Sequence, residues 1–234
     1  MLPSGRCAST SGKVEVDFSF LASNMRYLLE GLSVTLVLAT LSFVGCLAVG
    51  TFLALLRLSP WRCLRWPTGL YIDLMRMVPL IMVIFWFFFF LPILTGRPIN
   101  AFIAGLAGLV AFHSTYIAEV IRAGIQSVPR GLVEAARSSG MSYRHCMWHV
   151  VLPIATRNML PALVNRFVAL FMGTSLVYVI GVTEFFRAAT NLNMRAFRPY
   201  ETYIFVALVY FAFCYSISRV GALLERRLTL TGAR

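Results

Sequence analysis

GLSVTLVLATLSFVGCLAVGTFLALL, residues 31–56, carries no charged side chain. About 20 apolar residues are enough to cross the hydrocarbon core of a bilayer as a helix, and this run is longer. It is also too long for the apolar core of a cleaved leader, so it reads as a retained membrane span. Ser33, Thr35, Gly45 and Gly50 within it are small residues that let a second helix come close. The rest of the chain agrees. Of its 234 residues 59% are apolar and 13% charged, with a mean hydropathy of +0.78. A soluble domain of this length needs more polar surface.

Four further apolar stretches follow, at about 69–94, 100–121, 154–182 and 202–224. With the first they predict an all-α polytopic membrane protein of about five spans. Hydrocarbon offers no water to unpaired backbone groups, so only helices or a closed barrel can cross it. The short alternating segments of a barrel are missing. The expected organisation is a polar leader and interfacial segment at 1–26 and a transmembrane domain at 27–225, which includes a polar loop at 122–150. A tail follows at 226–234. The block FWFFFF at 85–90 reads as a lipid-facing or interfacial surface.

The net charge is +12. A nucleic-acid partner would need a basic face on a soluble module, whereas these arginines sit between apolar runs, so no nucleic-acid role is expected. One side of the membrane gathers Arg57, Arg62, Arg65, Arg122, Arg130, Arg137, Arg144, Arg219, Arg226, Arg227 and Arg234. The other side has Arg6, Lys13, Arg26, Arg97, Arg187, Arg195 and Arg198. The richer side is the cytoplasmic one by the positive-inside bias. That puts the N-terminus outside and both the C-terminus and the 122–150 loop in the cytoplasm.

Asp73, Glu119, Glu184, Glu201 and Glu225 all fall near span ends, which speaks against a proton relay in mid-membrane. Arg76 and Arg157 are expected to snorkel to the headgroups. Arg166 lies deep, about 18 Å along its helix from Ile154, and must face protein or a water-filled path. Asn165, Thr174 and Ser175 lie at a similar depth and could offer hydrogen bonds. Five cysteines at 7, 46, 63, 146 and 214 form no CxxC pair and predict no disulfide framework. His145 and His149 are one helical turn apart, but no carboxylates stand nearby to complete a metal site, and none is expected.

The polar loop contains GLVEAARSSG, residues 131–140. Glu134, Ala135, Ala136 and Arg137 favour a helix, and Glu134 near its start suits the helix dipole. Gly140 falls where a left-handed cap would end it, and Ser142 can begin a second helix running toward Val151. Two turns of helix are not stable alone in water, so this segment must dock, on its own spans or on another protein. Its small face is Ala135, Ala136, Ser139 and Gly140.

The spacing within this loop is specific. Glu134-Ala135-Ala136, three residues, Gly140, nine residues, Val150, one residue, then Leu152-Pro153 resembles the cytoplasmic loop of ABC importer permeases, with Val in place of the usual Ile. YLLEGLSVTL (27–36), RMVPLIMVIFWF (76–87), YIAEVIRAGIQSVPRGLVEAARSSGMS (116–142) and LPALVNRF (160–167) are similar to the polar amino acid permeases of the histidine/glutamine type. MVPLIMVIFWFFFFLP (77–92), TSLVYVI (174–180) and EFFRAA (184–189) resemble the glutamate/aspartate subgroup most. Two positions depart from the pattern. Gly173 stands where many relatives carry an acidic residue, and Arg166 where many carry Gln.

The resemblance implies a type I ABC importer permease in a bacterial inner membrane. It implies partners: a cytoplasmic ABC ATPase dimer, which would hold ATP and Mg, a second permease copy or a homologous permease, and a periplasmic solute-binding protein. It also implies that Gly131, Glu134, Ala135, Ala136, Ser139, Gly140, Leu152 and Pro153 make the joint to the ATPase. The chain itself should bind no cofactor. Its only Gly-Lys, Gly12-Lys13, is followed by Val14, so no phosphate loop is present. The expected substrate is glutamate or aspartate. The alternatives are another polar or basic amino acid, an opine-like solute or, more distantly, an ion-coupled secondary transporter. For Arg166 the readings are a substrate path, with Asn165, Thr174 and Ser175, or a structural pair to a neighbouring helix.

Overall fold

The structure, a computed structural model, describes residues 19–231, with side chains to Arg226. The leader before residue 19, with Cys7, and Arg234 lie outside the described residues. The elements are helical in chain order: α1 (Ser19–Ser23), α2 (Met25–Leu58), α3 (Arg62–Met77), α4 (Leu80–Thr95), α5 (Ala101–Gln126), α6 (Arg130–Ser138) and α7 (Tyr143–Cys146). A π-helical turn (Met147–Val151) leads into α8 (Leu152–Gly173). A 3₁₀ segment (Thr174–Ile180), α9 (Phe185–Ala196) and α10 (Pro199–Thr231) complete the chain.

Four helical stretches among the described residues are long and apolar enough to cross a membrane: α2, α5, the rod Tyr143–Ile180 and α10. The expected second span is instead two helices, α3 and α4, bent by 109° at their junction. Pro79 is the cause. Its ring excludes the helical conformation for the residue before it, and Val78 is extended at φ −96°, ψ 141°. The first span also starts earlier than expected, at Met25; Leu28 in the added turns is buried against Phe185 and Ala188 of α9, and Arg26 and Glu30 pair one turn apart.

α5 is the central element, packed by α2, α3, α4 and α8. It crosses α2 where both present small residues. A Cβ on Gly50 would come 2.8 Å from Ile117 Cγ2 and 2.9 Å from the Ser114 carbonyl oxygen, so only glycine permits this approach. The Cys46 thiol lies 3.8 Å from the carbonyl oxygens of both Leu109 and Val110 and donates to them. In lipid there is little hydrophobic drive for helices to associate, and such close packing replaces it. The aromatic block faces outward as expected at Trp86, Phe89 and Phe90, while Phe85 and Phe88 pack against the core formed by Leu38, Ile84 and Leu109.

The connection between the last two spans is more ordered than its composition indicates. Glu184, expected at a span end, is fully buried and caps α9. Its Oε1 accepts from the Arg187 N–H at 2.7 Å and its Oε2 from the Phe186 N–H at 2.9 Å. The Thr35 and Tyr210 hydroxyls each donate to Oε2 at 3.4 Å. Thr35 in turn accepts from the Phe185 N–H at 3.0 Å. One carboxyl therefore ties α2, α9 and α10 together.

Burial raises the Glu184 carboxyl from an ordinary 4.5 to about 7, outweighing the four donors around it. A carboxyl raised in the fold stabilises fully below its unfolded value and loses that contribution as pH rises through its folded value. The thermal midpoint of the purified protein should therefore fall between pH 5 and 8, by a stability difference on the order of 3 kcal/mol. Glu184→Gln, which cannot ionise, should flatten that fall. An unchanged pH dependence in the variant would remove Glu184 as its source.

Candidate functional site

Two regions stand out, a helix turned away from the bundle and a cavity inside it. The helix is α6. Pro129, with φ fixed at −57°, starts it one residue earlier than the sequence indicates. Glu134 is therefore mid-helix, beyond the first turn, and its expected interaction with the helix dipole is correspondingly weak. The C-terminus closes as anticipated. Gly140 has φ +83°, its N–H donates to the Arg137 carbonyl at 3.0 Å, and the Met141 N–H donates to the Ala136 carbonyl at 3.2 Å. Both bonds of a Schellman cap are present. Ser139 Oγ adds a bond to the Ala135 carbonyl at 2.9 Å.

The expected small face of α6 is divided by the structure. Val133 and Ala136 pack on the core beneath, together with Met141. Gly131, Glu134, Ala135, Ser139 and Gly140 face outward, and Glu134 makes no hydrogen bond or ion pair among the described residues. Sequence reasoning missed the apolar side chains around them. Leu132 is 46% exposed, Tyr143 66% and Trp148 70%, all at this end of the molecule. Together they leave an open apolar surface beside α6.

Ser142 caps α7 by accepting from the His145 N–H at 3.4 Å. The His145 and His149 rings stack with centroids 4.1 Å apart, and His149 Nδ1 lies 3.0 Å from the His145 carbonyl. The helix then widens to the π-turn before Leu152 and Pro153, which begin α8. Proline cannot donate to the carbonyl four residues back and clashes with it, which accounts for the wider turn. Asn158 Nδ2 donates to Ser127 Oγ at 2.9 Å, fastening α8 to the turn between α5 and α6.

The cavity measures about 970 Å³ and lies between α3, α5, α8 and α10. Arg76, Tyr116, Glu119, Arg157, Arg166 and Glu225 are among its lining residues. Arg166 reaches it from α8. Arg76 is exposed near the end of α3, and its guanidinium meets Tyr116. The Cζ atoms of Arg76 and Arg166 each lie 5.0 Å from the centre of the same Tyr116 ring. Neither these two nor Arg157 is ion-paired among the described residues. Glu119 is committed elsewhere, to Arg57 and Arg122, each at 2.9 Å.

The other expected path residues are not brought to this cavity. Asn165 is exposed and is not part of its lining. Thr174 is fully buried and donates to the Phe171 carbonyl at 2.7 Å, and Ser175 donates to the Met172 carbonyl at 2.8 Å. Both hydroxyls cap the end of α8 as it tightens into the 3₁₀ segment. Gly173 sits beside His113: a Cβ there would be 3.2 Å from His113 Nε2, a buried nitrogen without a hydrogen-bond partner among the described residues.

Comparison with known proteins agrees with this architecture. Residues 46–230 match the family described as binding-protein-dependent transport system inner membrane component. The chain is 36% identical to the glutamate/aspartate import permease protein GltK of Escherichia coli O157:H7, over 91% of this chain and 98% of that one. It is 34% identical to the probable glutamine ABC transporter permease protein GlnM of Bacillus subtilis, again over 91% and 98%. A crystal structure of an amino acid ABC transporter with histidines superposes with a TM-score of 0.85 at 35% identity, covering 91% of this chain and 99% of that chain. With all-helical spans, the type I importer permease fold and these matches, the chain belongs to the binding-protein-dependent transport inner-membrane components, among the amino acid ABC permeases.

Proposed function

We propose that this permease forms the path for an acidic amino acid, glutamate or aspartate, and takes its drive from a separate ATPase through α6. The observation that carries the substrate assignment is the pair of guanidiniums, Arg76 and Arg166, at one tyrosine ring in an open cavity, with no carboxylate paired to either among the described residues. Arg76 comes from α3 and Arg166 from α8, so an anion held beside this ring meets positive charge from two helices. A carboxylate on a guanidinium gains charge-assisted hydrogen bonds, and two-point pairing adds geometric selection. An acidic amino acid brings one more carboxylate than a neutral one. Arg157 on the same wall adds a third guanidinium to the lining.

The exposed face of α6, with Glu134, Ala135 and the capped Gly140, supports the ATPase joint. So do the unpartnered Leu132, Tyr143 and Trp148 beside it. The partners follow: an ATPase dimer carrying the nucleotide and Mg, a second copy of this chain or a homologous permease, and a periplasmic binding protein that delivers the solute. The basic loops and α6 lie on the cytoplasmic side, with the N-terminus outside.

Uptake in cells carrying the whole transporter tests the substrate. Arg166→Gln should lower glutamate uptake at least tenfold at an unchanged level of membrane-inserted protein. Unchanged uptake would remove Arg166 from the path. A separate variant tests the joint. Gly140→Val places a β-branched residue at φ +83°, which only glycine adopts freely, and should unwind the end of α6. Uptake should fall at least tenfold while the permease still inserts. Normal uptake would mean that this cap plays no part in coupling.

A further inference from the structure

A second cavity, about 860 Å³, opens at the same end of the molecule as α6, between α3 and the C-terminal ends of α2 and α5. One face of α3 lines it with Arg62, Arg65, Trp66, Gly69 and Asp73, spaced three and four apart. Arg57 and Arg122 come from the other two helices. The charges do not balance. Arg57 is held by Glu119 at 2.9 Å and by Asp73 at 3.4 Å, and Arg122 is held by Glu119 at 2.9 Å. Both acids are thereby occupied. Arg62 and Arg65 have no ion-pair partner among the described residues and stand exposed at the mouth.

The surroundings describe the ligand. Trp61 is 66% exposed and Trp66 72%, and exposed indoles are the mark of the membrane–water boundary. From Trp66 an apolar stripe, Leu70, Leu74 and Met77, runs along α3 away from the arginines, every member open. Two free guanidiniums at headgroup level, backed by an aromatic ring and leading into an open apolar stripe, match an anion with a hydrocarbon tail. We infer that this cleft binds an anionic phospholipid, its phosphate on Arg62 and Arg65 and an acyl chain along Trp66, Leu70 and Leu74. A basic pocket between membrane helices is suited to such headgroups, and guanidinium matches phosphate in two-point geometry. Free phosphate shares the headgroup chemistry but has no use for the stripe.

The test uses the full-length chain, delipidated in detergent and mixed with equal amounts of phosphatidylglycerol and phosphatidylcholine, with retained lipid counted by native mass spectrometry. Phosphatidylglycerol should be retained at least tenfold over phosphatidylcholine. Arg62→Gln/Arg65→Gln should abolish that preference, and each single exchange should weaken it. Arg97→Gln/Arg195→Gln, exposed arginines elsewhere on the chain, should leave it intact. Equal retention of the two lipids, or an unchanged preference in the double variant, would overturn the site. Displacement by inorganic phosphate at equal concentration would overturn its assignment to a lipid. Lipid retention is read without transport, so either result leaves the substrate reading untouched.

Discussion

Gly50 of α2 leaves no room for a side chain against Ile117 and Ser114 of α5, and the Cys46 thiol reaches the α5 backbone in the same seam. This crossing fixes α5 in the middle of the bundle. Its middle then carries Tyr116 to the cavity, Glu119 to the arginines at the ends of α2 and α5, and its C-terminus into the turn before α6. Lipid gives such helices little reason to associate, so close packing of small residues does what apolar burial does in water. A bulkier residue at position 50 would shift α5, and with it every group that α5 positions.

The same helix joins the two candidate regions. α6 follows α5 after three residues, and the turn between them is bonded to α8 through Ser127 and Asn158. Gly124 of α5 approaches α8 so closely that a Cβ would lie 2.9 Å from Met159 Cγ. The cavity is walled by these two helices, with Tyr116 from one and Arg166 from the other. Under the proposed function, a displacement of α6 reaches both walls through rigid helix and direct contact. The pair of guanidiniums at Tyr116 would then be opened or closed from the water-soluble end.

Much of this was legible in the sequence, for physical reasons that differ by element. The spans are readable because hydrocarbon allows no charged or unpaired stretch of that length, and α6 with its cap is readable because Gly140 has one use at that place. The break at Val78–Pro79 was signalled by the proline but hidden by hydropathy, which averages across a bend. The meeting of Arg76 with Tyr116 was hidden with it. Glu184 carries no local mark of burial; its partners Thr35 and Tyr210 lie far away in the chain, and only packing brings them together. The division of α6 into a packed and an open face likewise needed the structure. Ala135 and Ala136 are neighbours in sequence and the same residue, yet Ala135 is exposed and Ala136 lies against the core.

The central claim is that the open face of α6 is where this membrane chain meets a soluble ATPase. Site-specific cross-linking measures that directly. A single cysteine introduced by Ala135→Cys, in a chain whose exposed Cys63 is replaced by serine, is treated with a short bifunctional thiol reagent in membranes containing the ATPase. An adduct with the ATPase should form, and should not form from a cysteine introduced by Met194→Cys on the exposed surface of α9. No adduct from position 135, or equal adducts from both positions, would contradict the account.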